Sequence, residues 1–310
     1  MIKDFKNGET ISQVFLVKDV TKGVTTTGKN YISVVLQDKS GTIEGKKWDV
    51  NTQDLENFKK GAILLIDADV TTFKDKLQLR IAFDNIANKD RSDFSSVIMS
   101  SPIPEEELIN DFNYYKNSIH NETLVQILNA IFDKYYNDYI IFPAAVRNHH
   151  EFYHGLIHHS VCMCKVAEQV CKIYNDVSYD LLISGCLLHD IGKVIEFSDP
   201  ISPSYTNEGN LLGHISIGMS IIKETCDNLN ITGEIPMLLE HMILAHHGKQ
   251  EYGSPITPLT REALLLSMID DMDAKMMVLD KAYKDINDGE YTDRIFALDN
   301  ASFYKRHEIK

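Results

Sequence analysis

Apolar residues recur with two different periods along this 310-residue chain. Up to about residue 88 they come in short β-branched and aromatic runs separated by turn residues, the pattern of half-buried strands. Strands are predicted at Ser12–Val20, Asn30–Asp38, Gly41–Val50, Ala62–Thr72 and Lys76–Ile86. A Gly/Thr-rich turn at Lys22–Lys29, the Lys74-Asp75 turn and a helical insert near Thr52–Lys60 separate them. Residues 89–104 are polar, carry Pro102 and Pro104, and read as a linker. From Glu105 the apolar spacing changes to helical. Helices are predicted at Glu105–Ser118, Glu122–Asn137, Gly155–Tyr174, Ser178–His189, Leu212–Leu229, Glu234–His246 and Thr260–Lys284. Another is expected to open at Pro143, and Ser198–Asn210, with two prolines and a glycine, reads as a loop.

The expected fold class is therefore multidomain, α and β. Residues 1–88 form an OB-like barrel, although the imperfect alternation at Gln13–Val17 also allows another small barrel. Residues 105–310 form an all-α domain.

Charge narrows the range of partners. The chain carries 45 acidic against 31 basic residues, a net charge of −14, which argues against a generic nucleic-acid-coating protein. The first 90 residues are nearly neutral, with 14 Lys+Arg against 13 Asp+Glu, so the excess acid lies downstream. An acidic domain still holds phosphate if metal ions and a few local cations make the contacts. Five cysteines without zinc-type spacing read as reduced thiols, and Cys162 and Cys164 point to opposite sides of their helix. No apolar run is long enough to span a bilayer and no apolar signal segment opens the chain, so a cytoplasmic location without membrane partners is expected.

The chemistry is concentrated in the helical half. Ten of twelve histidines lie between His149 and His247. His158-His159, His189-Asp190, His214, His246-His247 and Asp270-Asp271 each belong to a different predicted helix, which is how helical bundles assemble metal sites. Imidazole and carboxylate together suit Mn²⁺, Fe²⁺, Zn²⁺, Co²⁺ or Ni²⁺ and disfavour an all-oxygen Ca²⁺ site. His149, His150, His158 and His241 are expected to be packed or exposed rather than ligating. Asp271 and Asp273 are expected on a solvated or hydrogen-bonded helix face. Of the barrel aromatics Phe15, Tyr31, Trp48, Phe58, Phe73 and Phe83, most are expected in the core.

The order His159, His189-Asp190, Asp270 resembles the HD-domain metal-dependent phosphohydrolases. A closer likeness is carried by Asn148-His149-His150, Gly155-Leu156, Leu188-His189-Asp190-Ile191-Gly192-Lys193, Tyr205-Thr206-x-Glu208-Gly209-x-Leu211-Leu212-Gly213-His214-Ile215, His246-His247-Gly248, Tyr252-Gly253-Ser254-Pro255 and Asp273-Ala274-Lys275-Met276. These segments are similar to the YhaM-type 3′-5′ exoribonuclease family, which joins an OB-type domain to an HD domain. The likeness covers nearly the whole chain and is specific in the helical half.

That resemblance implies His159, His189, Asp190 and Asp270 as the core metal set, with His214, His246 and His247 as further ligands or partners of a second ion. It implies a divalent cofactor, Mn²⁺ by preference, and metal-activated water cleaving single-stranded RNA to nucleoside 5′-monophosphates, with some activity on single-stranded DNA. His189, Asp190 and Lys193 are then the catalytic residues, and Lys193 and Arg147 the phosphate contacts. The barrel would bind the strand through aromatics and through Lys46, Lys47, Lys74, Lys76 and Arg80. Where the family often has Gly-Gly before the first metal helix, this chain has His154-Gly155, and His154 is read as a tolerated surface substitution in preference to a substrate contact. Two other functions are weighed: hydrolysis of nucleotides or cyclic dinucleotides, against which the barrel argues, and nucleic-acid binding with a vestigial site, against which the full His/Asp set argues. The apolar helices over 105–137 leave room for a homo-oligomer.

Overall fold

A computed structural model of the chain describes residues 1–26, 28–86, 97–146, 150–284 and 286–309. It divides into two compact units, Met1–Ser100 and Ser101–Lys310. Residues 89–96 of the expected linker lie outside the described residues, as do Arg147 and His149.

The first unit is a closed barrel of β1 (Thr10–Val24), β2 (Asn30–Asp38), β3 (Gly41–Trp48), β4 (Ile63–Phe73) and β5 (Lys76–Ile86), ordered β1-β2-β3-β5-β4. Only the β3–β5 pairing is parallel, and β4 closes the ring on β1. This is the five-stranded barrel expected of the OB type. Alternation puts Leu64, Ile66, Ala68 and Val70 of β4 inside. The irregular stretch of β1 has a cause: Phe15, Leu16 and Val17 are all buried, and the pairing with β2 shifts register between Val17 and Asp19. Helix α1 (Thr52–Asn57) lies between β3 and β4. It is held by an Asn51–Asp54 capping box and followed by the fully buried Phe58.

The second unit contains α2 (Glu105–Asn117), α3 (Glu122–Ile141), α4 (Gly155–Ile173), α5 (Tyr179–Leu188), the single turn α6 (Lys193–Glu196), α7 (Asn207–Asn228), α8 (Glu234–Ala245) and α9 (Arg261–Tyr283). Helix α5 is buried on every side from Leu181 to Leu188, as an all-apolar helix must be. Its neighbours α4, α8 and α9 complete one continuous core. No helix among the described residues is long and apolar enough to cross a membrane.

Two sequence expectations need correction. No helix opens at Pro143. Residues 142–146 are irregular because their backbone groups pair with the next segment: Ala144 N–H donates to the His150 carbonyl and the Phe142 carbonyl accepts from Leu156 N–H. Helix α7 begins at Asn207 rather than Leu212, because the Thr206 hydroxyl caps it by accepting from Gly209 N–H. It breaks at Gly213, whose φ of 70° and ψ of 155° suit glycine alone, and restarts at His214.

Candidate metal centre and nucleic-acid interface

The helix ends of the second unit aim imidazoles at one place. His189 follows the last turn of α5 and donates its Nδ1–H to the Cys186 carbonyl at 3.0 Å. His246 follows α8 and donates Nδ1–H to the Ile243 carbonyl at 2.7 Å. His247 Nδ1–H donates to the Tyr252 carbonyl at 2.8 Å, and His214 Nδ1–H to Glu196 Oε1 at 3.1 Å. A carbonyl or carboxylate can only accept, so each Nδ1 carries a proton, which fixes the tautomer whose Nε2 can ligate a metal. Gly192 makes the approach of α7 possible. A Cβ there would lie 2.1 Å from the His214 carbonyl oxygen, so glycine is what lets the restart of α7 pack against the His189-Asp190 turn.

Asp190 joins these groups. Its Oδ2 lies 3.2 Å from His189 Nε2 and 4.0 Å from His159 Nε2, while Oδ1 lies 3.5 Å from His214 Nε2 and 3.8 Å from His246 Nε2. Lys193 Nζ holds Oδ2 at 2.6 Å. Among the described residues three sets are able to hold a cation, His159–His189–Asp190, His214–His246–His247 and, behind the first, His150–His159–Asp273. His189 Nε2, Asp190 Oδ1, His214 Nε2 and His246 Nε2 are buried and have no hydrogen-bond partner among the described residues. An unsatisfied buried polar group costs about 1–3 kcal/mol. Four would cost about 4–12 kcal/mol, comparable with the whole stability of a typical domain. The four converge, and three are nitrogen lone pairs beside a carboxylate. That is the donor set a divalent transition ion takes, so the residues fit such an ion.

His159 completes the first set from α4. Its Nδ1 meets Asp273 Oδ2 at 2.6 Å and its Nε2 meets Asp270 Oδ1 at 3.1 Å. Burial pulls its pKa down, but the two carboxylates outweigh burial and hold it up at about 10. The same contacts keep Asp270 and Asp273 below the usual carboxylate range against their own burial. Asp190 is likewise held well below that range, with burial outweighed by Lys193 and His189. Burial pushes His246 well below and His247 below the ordinary imidazole value, which keeps both neutral as ligands must be.

All seven residues expected to hold metal, His159, His189, Asp190, His214, His246, His247 and Asp270, therefore come together. Asp190, Lys193, His214, His246, His247 and Asp270 line one cleft of about 660 Å³. The supporting groups were harder to see. Asp273 also accepts from His150 Nε2 at 2.8 Å, so one carboxylate orients two imidazoles. Its spacing of three from Asp270 on one helix was the available signal. Glu196, which holds both the backbone N–H and the ring of His214, had none. His158 is packed as expected, buried and bonded to Ser101 Oγ at 3.0 Å.

His154 corrects another expectation. It is an interior residue, not a surface substitution: its φ is 66°, its ring is buried, and Nδ1–H donates to the Ile140 carbonyl at 2.9 Å. The left-handed backbone suits glycine best, and the hydrogen bond offsets that strain. Gly155 after it cannot change, since a Cβ would lie 2.1 Å from the His150 carbonyl oxygen.

On the barrel, Phe15 and Phe58 are core, whereas Trp48, Phe73 and Phe83 are exposed. Tyr31 pairs with Trp48 across β2 and β3, ring centroids 5.3 Å apart. Gly23 of β1 leaves room for the Tyr31 ring, which would overlap any Cβ at that position. Lys46 Nζ lies 5.7 Å from the Trp48 ring and 5.9 Å from Phe73, and Lys74 Nζ lies 5.6 Å from Phe73. Lys47 does not belong to this surface; it is buried between Asp54 and Asp84. Arg80 is exposed but paired with Asp69 at 2.7 Å.

Among solved structures, the barrel is similar to the second OB-fold domain of replication protein A from Methanococcus maripaludis, at 20% identity over 29% of this chain and 95% of that one, with a TM-score of 0.25. It is also similar to the OB domain of Ta0387 from Thermoplasma acidophilum, at 16% identity over 29% and 86% of the two chains, TM-score 0.25. The HD domain of the L. monocytogenes phosphodiesterase PgpH matches at 19% identity over 51% of this chain and 83% of that one, TM-score 0.30. Residues 156–275, which span α4 to the middle of α9 and hold all seven candidate ligands, match the HD domain family model, so the chain is an OB-like β-barrel followed by a helical HD domain.

Proposed function

We propose that this protein is a metal-dependent phosphodiesterase that shortens single-stranded RNA from its 3′ end and releases nucleoside 5′-monophosphates. The observation that carries the metal chemistry is the convergence of four buried donor atoms with no hydrogen-bond partner among the described residues, three of them on residues that line one cleft. His159, His189, Asp190 and Asp270 would hold one divalent ion. His214, His246 and His247 would hold a second, with Asp190 facing both. Mn²⁺ is the favoured ion on the resemblance to the exoribonuclease family; the donor set itself also suits Fe²⁺, Zn²⁺, Co²⁺ or Ni²⁺. Divalent ions at such a site make water a usable nucleophile at neutral pH and offset the charge of the phosphate.

The protein's own groups do the rest. Backbone carbonyls and Glu196 hold the imidazoles in the ligating tautomer. Lys193 is tied to Asp190 and adds positive charge to the cleft, where it faces the phosphate. The half-buried Tyr31 and exposed Trp48 with Phe73, Lys46 and Lys74 support strand binding by the barrel, since stacking rings beside cations take single strands of any sequence. Tethering the strand in this way raises its concentration at the second unit.

The test is a time course on short 5′-labelled single-stranded RNA, first with chelated protein and then with added Mn²⁺. A metal-dependent ladder shortening from the 3′ end is expected. Intact RNA in every lane overturns the reading.

A further inference from the structure

The segment from Tyr205 to His214 stood out in the sequence, yet metal binding uses only its last residue. Its first residue lines the same cleft as Asp190, His214 and Asp270. Tyr205 is 50% exposed there, and it is held firmly. It pairs with Phe197 in an isolated antiparallel bridge, and its ring meets the buried Phe197 ring edge-on with centroids 5.5 Å apart. On one side, Ser198 N–H donates to the Ser204 carbonyl and the two serine hydroxyls meet at 2.8 Å. On the other, Thr206 N–H donates to the Glu196 carbonyl and the Thr206 hydroxyl donates to the Ile195 carbonyl at 2.9 Å. Gly209 packs so closely on Glu196 that a Cβ would lie 2.4 Å from its carbonyl oxygen. The segment thus does two things at once. It fixes Glu196, which orients His214, and it fixes an aromatic face on the cleft wall.

The cleft lining combines charged and apolar groups. Beside the ligand-type residues, Lys193, Glu196, Ser267 and Asp271, it includes Ala144, Ala145, Val146, Phe197, Tyr205 and Ala274. A ligand that matches this lining has an anionic end and a flat apolar end. A volume of about 660 Å³ lies within the usual range for small-molecule sites.

We propose that Tyr205 is the base-stacking wall of the cleft: its ring takes the nucleobase of the nucleotide whose phosphate lies at the His189-Asp190 centre. The inference rests on the phosphodiesterase reading above for the phosphate end and adds the recognition of the base. A stack reads no Watson–Crick edge, so all four bases are accepted and purines bind more tightly than pyrimidines.

The test is calorimetric binding of adenosine 5′-monophosphate and of ribose 5-phosphate to the full-length, Mn²⁺-loaded protein. The two ligands share the phosphate and the sugar and differ in the base. The wild type is expected to prefer the nucleotide by about 5- to 150-fold, the range one aromatic–base stack supplies. Tyr205→Phe keeps that ratio. Tyr205→Leu, which can still pack on Phe197 but offers no aromatic face, brings it to within about twofold of unity. A wild type without the preference, or a Leu variant that keeps it, overturns the proposal. If the preference is present and is lost in Tyr205→Leu while RNA remains intact in the Mn²⁺ time course, the exonuclease reading fails and the base wall stands.

Discussion

Asp273→Asn is the most discriminating perturbation of the metal centre, because Asp273 belongs to neither the cleft lining nor the expected ligand set. One carboxylate oxygen accepts from His159 Nδ1 at 2.6 Å and from His150 Nε2 at 2.8 Å. A carboxamide keeps the shape and can still offer one oxygen to both N–H groups, but it loses the negative charge that strengthens those bonds. The substitution therefore weakens the hold on the His159 ring, whose Nδ1–H must stay bonded to Asp273 while Nε2 gives up its proton to ligate. Loss of such a carboxylate partner typically lowers metal affinity by about 10- to 100-fold, or about 1.4–2.7 kcal/mol. The assay is a competition titration of Mn²⁺ against a chelator of known affinity, with metal-free thermal unfolding measured alongside. The expected result is weaker Mn²⁺ binding by about that factor, beyond any change in the metal-free melting temperature. If the melting temperature falls while Mn²⁺ affinity stays within about twofold, Asp273 is a packing residue and the orientation argument is wrong.

Three further outcomes follow from the same geometry. Asp190→Asn leaves the buried Lys193 ammonium without its 2.6 Å partner, which costs about 3–5 kcal/mol and lowers the melting temperature by about 6–20 °C. Adding Lys193→Met recovers most of that stability without restoring RNA cleavage; a double variant as unstable as the single one contradicts the ion-pair account. Trp48→Ala weakens single-stranded RNA binding by about 5- to 150-fold in a fluorescence titration and Trp48→Phe by far less, whereas equal losses would exclude stacking. In the barrel, Asp84 is held below its ordinary value despite burial, by Lys47 and Asn57. Its contribution to stability is therefore full above the unfolded carboxylate value of about 3.9 and is lost as pH falls below it. Thermal unfolding followed from pH 6 downward is expected to show that loss in the wild type and a shallower one in Asp84→Asn; parallel curves would refute the assignment.

By itself the sequence determined the local architecture. Periodicity two and periodicity 3.6 separate barrel from helices because each follows from which side of one element is buried. Gly213 and Gly192 stand in the segments that carry the family likeness, and the structure shows a backbone requirement at each; the His189-Asp190 pair pointed to the candidate centre. The helix at Pro143 did not form because the carbonyl of His150 and the N–H of Leu156 claimed the backbone that a helix would have used. Tertiary structure alone decided which residues support the candidate ligands. Asp273 meets His159 across 114 positions and His150 across 123, and Glu196 meets His214 across 18. Such single hydrogen bonds leave no period in a sequence. It also decided that His154 is interior, that Lys47 is a buried ion-pair partner, and that Trp48 and Phe73 face outward while Phe15 and Phe58 fill the barrel. The reason is the same in each case. Burial of one element's own face is a nearest-neighbour property of the chain, whereas the partner that a polar side chain meets depends on how distant elements close on one another.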